Sequence, residues 1–137
     1  MCLVITHDAY EGSFEAFNLF RKELLAAIGG KYLPKLSVNT TVKNWFFSKD
    51  SVFSDETHKG LVEFFNHSDS DGAITPEMCK VIADELENIL PLIQKYESTQ
   101  ASINQQIISR GGYVQMTIDF IKGCRLAHSN NESLDFL

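Results

Sequence analysis

The chain has 137 residues, 44% of them hydrophobic, and a net charge of -6. That length and apolar content suit one domain with a core large enough to stand without disulfides, and the acidic balance argues against binding a nucleic acid polymer, which needs a surplus of clustered Lys and Arg. Cys2, Cys79 and Cys124 are odd in number, widely spaced and without a CxxC pair, so they read as reduced, partly buried thiols rather than a zinc or disulfide framework.

The chain opens on a short apolar run, Cys2 to Ile5, which predicts a strand or an extended arm. It is too short and too uncharged at its start for a secretory signal, and no later stretch reaches the length of a membrane span, so a cytoplasmic protein is expected. Gly12-Ser13 then supplies a cap for a helix whose face is Phe14, Phe17, Phe20, Leu24, Leu25 and Ile28, with Arg21 and Lys22 toward the opposite side and Gly29-Gly30 as its end. Residues 31–44 read as a loop or mixed segment. Trp45-Phe46-Phe47 follows, and three adjacent aromatics cannot all point inward from one element. One is therefore exposed or seated in a neighbouring groove, either as a satellite core anchor or as a contact surface with Lys43 and Lys49 beside it.

Ser54 predicts the cap of a helix that begins at Asp55-Glu56 and buries Leu61, Val62, Phe64 and Phe65. After it comes the polar loop Asn66-His67-Ser68-Asp69-Ser70-Asp71-Gly72. Asp71-Gly72 is a turn signal, Thr75 an N-cap, and Pro76 fits the first position of a helix, where no amide hydrogen is needed. Met78, Val81, Ile82, Leu86, Ile89 and Leu90 predict its buried stripe, and Pro91 is expected to kink or restart it, giving one bent helix or two. A calcium-loop reading fails on register. With Asp71-Gly72 at the glycine turn, His67 and Met78 stand where oxygen ligands are needed; starting at Asp69 puts Ile74 at the glycine position and Lys80 at the glutamate position.

Arg110-Gly111-Gly112 breaks the chain before a broadly apolar last helix, with Tyr113, Met116, Phe120, Cys124 and Ala127 on one line and Val114, Ile118 and Ile121 beside it. Such a helix belongs at the centre of the fold or at a subunit interface. Asn130-Asn131 ends it, and Leu134, Phe136 and Leu137 are expected to fold back over the core.

Two constellations carry chemistry. The amides of Gly111 and Gly112 at a helix start, with the guanidinium of Arg110, predict an anion site. His7 and Asp8, if brought to His67, Asp69 and Asp71, would form an imidazole and carboxylate cluster suited to a metal or to acid/base work. No Walker loop, GxGxxG or GxSxG motif is present, and no cofactor is expected.

The pieces HDAYEGSFEAFNLFRKEL, NHSDSDGAITPEMCKVIADELENILP and FIKGCRLAHSNNESLDF cover most of the chain. Together they resemble a family of small uncharacterised proteins of bacteria and bacteriophages that share the Asn-His-Ser-Asp-x-Asp-Gly loop. The resemblance implies no reaction. It implies an accessory protein of a phage or mobile element that binds a host protein or sequesters a signalling molecule.

The expectation is therefore a mostly α, compact single-domain helical bundle with a short N-terminal strand or arm. It acts as a non-enzymatic binding protein, homo-oligomeric through its last helix, and captures a host protein or a small anionic, phosphorylated or nucleotide-like ligand. Arg110, Gly111 and Gly112 contact the anion, while Trp45, His67, Asp69 and Asp71 shape the pocket. The alternatives are a metal-dependent enzyme using His7, Asp8, His67, Asp69 and Asp71, and an interaction domain without a pocket.

Overall fold

The computed structural model describes residues 2–32, 45–48, 51–68, 71–99 and 105–137. The N-terminal run is strand β1 (Cys2–Ile5), paired antiparallel with β2 (Tyr10–Ser13). Between them His7 and Asp8 both take positive φ, 63° and 58°, and Ala9 donates its amide to the Thr6 carbonyl at 3.3 Å. This is the type I′ turn, whose twist matches that of a two-stranded hairpin. The predicted arm is thus half of a hairpin.

Helix α1 (Phe14–Ala27) starts where the sequence places it, with Ser13 Oγ accepting the Ala16 amide at 3.0 Å, and it ends before Gly29 at φ 85°. One expectation fails here: Arg21 is only 7% exposed. Its guanidinium runs under the chain to donate to the carbonyls of Phe64 and His67. Strand β3 (Gly30–Tyr32) pairs with β4 (Trp45–Phe47), and the period-two alternation of a strand resolves the aromatic triplet. Trp45 is buried at 2%, Phe46 points out at 44%, and Phe47 packs edge-on to Trp45 and against Phe53. Lys43 and Lys49 lie outside the described residues.

Helix α2 (Lys59–Asn66) begins later than Ser54 predicts. Ser54 does cap, but it caps a single turn, accepting the Thr57 amide on its hydroxyl and the His58 amide on its carbonyl. The true start is set by tertiary contact. Gly60 packs so closely on the next long helix that a Cβ there would lie 2.9 Å from the backbone of Val81 and Ile82.

That next helix is α3 (Pro76–Thr99), preceded by β5 (Ala73–Ile74). Thr75 caps it as expected, accepting the Met78 amide at 3.2 Å. Pro91 does not end it. Both Pro91 and Glu87, whose carbonyl loses a donor to the proline, are exposed, so water can serve that carbonyl. The buried stripe is rotated from the predicted one and consists of Cys79, Ile82, Ala83, Leu86, Ile89 and Ile93, with Val81 exposed and Met78 and Leu90 half-buried. Small residues, Cys79 and Ala83, mark the line where another helix comes close; bulk alone misplaced it.

The partner on that line is α5 (Gly112–Ser129), reached through the single turn α4 (Gln105–Ile108). Tyr113, Met116, Phe120, Cys124 and Ala127 are all buried, and α5 sits centrally, against α3 along most of its length. It ends at Asn130, with Asn131 left-handed at φ 55°. The tail then folds back as β6 (Leu134–Asp135), paired with β5. A bridge from Phe136 to Ile5 joins this pair to the N-terminal hairpin, while Leu134 and Phe136 are buried and Leu137 is 67% exposed. The chain is thus a mostly α, compact helical bundle whose tail stitches the hairpin to the central loop. Its centre is aromatic: Phe17 meets Tyr10, Phe20, Phe64, Phe120 and Phe136 in tilted or edge-on pairs, 5.1 to 6.4 Å between centroids. Among the described residues no helix is long and apolar enough to cross a membrane.

Candidate functional site

At the start of α5 the chain supplies its own anion, and it meets the amides of Tyr113 and Val114 rather than those of Gly111 and Gly112. Gly111 and Gly112 take φ 89° and 93°, and the amides of Tyr113 and Val114 at the start of α5 point at the carboxylate of Glu97 near the end of α3. Gly112 makes room, because a Cβ there would stand 2.6 Å from Glu97 Oε2. A helix start carries partial positive charge on unsatisfied amides, and a carboxylate satisfies both the charge and the donors. The same device recurs more than three turns earlier on the same helix: Glu85 of α3 accepts the amides of Gly60 and Leu61 at 3.2 and 3.0 Å. Helix α3 therefore holds the N-termini of both α2 and α5 by glutamates projecting from its own side.

Arg110 is used nearby. It donates to the Gln106 carbonyl at 2.7 Å and to the Glu11 carbonyl from Nε and Nη2 at 3.4 and 3.3 Å, and it lies 5.5 Å over the ring of Tyr10. A side chain at Gly12 would strike it, at 1.9 Å from Nη2. Beside the guanidinium is a cleft of about 100 Å³. Asp8, Glu11 and Asp119 line it together with Tyr10. Sites for drug-sized ligands run to several hundred Å³, so this cleft suits at most a small group. Three carboxylates against one guanidinium do not favour a lone anion.

His67, at the start of the central loop, is fastened by its neighbours. The ring of His67 lies on that of Phe136, 4.1 Å between centroids, with Nδ1 2.8 Å from the Ser68 carbonyl and Nε2 3.3 Å from that of Ala73. Asp71 is exposed, and Asp69 lies outside the described residues. His7 sits between Thr6 Oγ1 and Glu132 Oε1, at 2.9 and 3.0 Å, while Asp8 turns to the cleft by Arg110. Hydrogen bonding from His7 holds the Glu132 carboxyl below its usual range. The tail brings the His7 turn and the His67 loop to the same small sheet, yet among the described residues no three His, Cys, Asp or Glu side chains converge as a metal site requires. Trp45 is buried. Its indole nitrogen donates to Asn66 Oδ1 at 3.2 Å, and its ring packs on Phe47 and Phe65.

Sequence reasoning missed a polar seam between α1, α3 and α5. Tyr96 donates to the buried carboxylate of Glu23 at 2.5 Å, and burial, followed by this hydrogen bond for Tyr96 and by the charge of Glu23 for Tyr113, pushes both phenols up to about 12. The folded state therefore holds these phenol protons more tightly than the unfolded chain, whose tyrosines ionise near 10. Stability from both groups is complete below pH 10 and falls as the pH rises toward 12. Tyrosinate absorbance and far-ultraviolet circular dichroism followed together should show part of the four-tyrosine signal arriving late, in step with loss of helix. Ionisation of all four near pH 10 with the helices intact would show the seam to be solvent-open.

Comparison of the chain with protein-family models, with curated protein sequences and with solved structures returned no match.

Proposed function

We propose that the chain is a non-enzymatic binding protein that engages a host protein in the cytoplasm, as an accessory factor of a phage or mobile element. The observation that carries this reading is Phe46, held 44% exposed on the outer side of β4, with Val52 at 84% exposed six residues on. An aromatic fixed on a hairpin loses little conformational freedom on binding, and such residues anchor protein interfaces. The reading is supported further by how the ligand-type groups are used: the α5 amides bond Glu97, Arg110 bonds Glu11 and Gln106, and His67 faces two backbone carbonyls. With a net charge of -6, a partner whose rim is basic is favoured.

The test is co-purification from host cells with quantitative mass spectrometry, comparing the native chain with Phe46→Ser and Val52→Ser. One stoichiometric partner, lost about tenfold or more in Phe46→Ser while circular dichroism is unchanged, is the expected result. Equal capture by both would remove Phe46 from the interface. Self-association belongs to the same measurement. The apolar line of α5 is already packed on α3, so a second copy would have to use other surface, such as Leu126, 48% exposed, or Ile108, 54% exposed, and a native mass of one chain excludes it.

Capture of a small anionic ligand is the second reading; Arg110 supplies the cation for it, while the carboxylates of Asp8, Glu11 and Asp119 in the same cleft weigh against it. A small anion released on denaturing the gently purified protein, and lost in Arg110→Ala, would favour it over the protein partner.

A further inference from the structure

Cys79 and Cys124 are far apart in sequence and meet in the core. Both are fully buried, one on α3 and one on α5, helices that pack against each other along most of their length, and each thiol is the other's strongest electrostatic neighbour. An ordinary core cysteine packs as a small hydrophobe and needs no polar partner. Cys79 has several. It is neighboured by the Cys124 thiol and the backbone of Leu134, it lies at the end of the first turn of the 24-residue helix α3, and as a thiol it donates to the Ile74 carbonyl at 3.8 Å. Donors around one sulfur at a helix start stabilise a thiolate, which is the reactive form.

We propose that Cys79 and Cys124 are a dithiol modification site, which a small hydroperoxide oxidises to an intrachain disulfide tying α3 to α5 beneath the C-terminal tail. Hydrogen bonding from Cys124 draws the Cys79 thiol below its ordinary range, whereas the same contact, with burial, pushes Cys124 up; Glu77 works weakly against ionisation of Cys79. Cys79 is thus the attacking sulfur. Its thiolate displaces alkoxide from the hydroperoxide, breaking the O–O bond and giving a sulfenic acid, and the alkoxide takes a proton and leaves as alcohol. The Cys124 sulfur then attacks the sulfenic sulfur, the S–O bond breaks, and water leaves with the Cys124 proton. In sum, two thiols and one hydroperoxide give one disulfide, one alcohol and one water. Access comes through the tail. Leu134, whose amide touches Cys79, belongs to the two-residue strand β6, and a pairing that short opens more readily than the helices beneath it.

The test uses the full chain carrying Cys2→Ser, which removes the exposed third thiol. After treatment with tert-butyl hydroperoxide and denaturing alkylation, the proposal expects a product lighter by two hydrogen atoms. Both thiols should be lost in step, the Cys79 and Cys124 peptides joined, and the change reversed by dithiothreitol. Cys124→Ser should stop at a sulfenic acid on Cys79 that dimedone traps, and Cys79→Ser should trap at least tenfold less. Full alkylation of both cysteines, under exposure that completely oxidises Cys2 in the native chain, overturns the proposal. Equal trapping in the two single variants overturns the assignment of Cys79 as nucleophile, and the joined peptide reads out the dithiol independently of either variant.

Discussion

Replacing Arg21 by alanine is expected to cost about 3–5 kcal/mol, more than any surface charge, because a buried cation and the groups it serves are lost together. Its Nη1 donates to the carbonyls of His67 at 2.7 Å and Phe64 at 3.2 Å, its Nη2 donates to Asn18 at 2.8 Å, and the guanidinium lies 4.8 Å over the Phe17 ring. Phe64 stands in the last turn of α2 and His67 just past it, where the helix dipole is negative and the carbonyls lack intrahelical donors. Alanine leaves those carbonyls buried without a donor. Lysine keeps the charge but not the planar fork, so Arg21→Lys should lose roughly half as much. Urea unfolding reads the loss. Trp45, the single tryptophan, bonded to Asn66 at the end of the same helix, reports its local part as a red shift in the folded-state emission. A cost below about 1 kcal/mol would place Arg21 with ordinary surface arginines.

Arg21 also shows where the sequence stops being legible. The helical pattern of α1 puts Arg21 and Lys22 off the apolar face, and Lys22 is indeed exposed. Nothing local says that Arg21 has acceptors, since these are backbone carbonyls 43 and 46 residues away. Features decided by a few neighbouring residues were readable: the Ser13 and Thr75 caps, the stop at Gly29, the apolar line of α5, and the exposure of one aromatic in Trp45-Phe46-Phe47. Features decided by another element were not. Helix α2 starts where Gly60 meets α3, not where Ser54 offers a cap. The α3 stripe follows the small residues that admit α5, and Pro91 passes because it lies on the water side. The same division holds at the candidate site. Gly111-Gly112 marks a helix start, but only the fold says that the amides of Tyr113 and Val114 meet the carboxylate of Glu97.

Glu97→Ala is therefore expected to destabilise the protein by about 2–3 kcal/mol, the scale of charge-assisted hydrogen bonds to backbone amides at a helix start. The carboxylate meets the amides of both Tyr113 and Val114, and α5 is the helix on which the core rests. Glu97→Gln separates the two contributions: both amides bond one oxygen of Glu97, and an amide oxygen in that place can still accept them but brings no charge, so it should recover about half of the loss. Removing the side chain also empties a seat shaped for an oxyanion, with Gly112 leaving its approach open. Millimolar sulfate or phosphate should then raise the melting temperature of Glu97→Ala well beyond its effect on the native chain, because a ligand that binds only the folded state stabilises it by mass action. The comparison matters, since such salts strengthen burial in every protein. Equal shifts in variant and native chain would mean that the α5 amides do not hold an anion once Glu97 is gone. A selective shift would identify the glycine pair as a working anion nest that α3 keeps closed, and would explain how a sequence can advertise a ligand site that the folded chain reserves for itself.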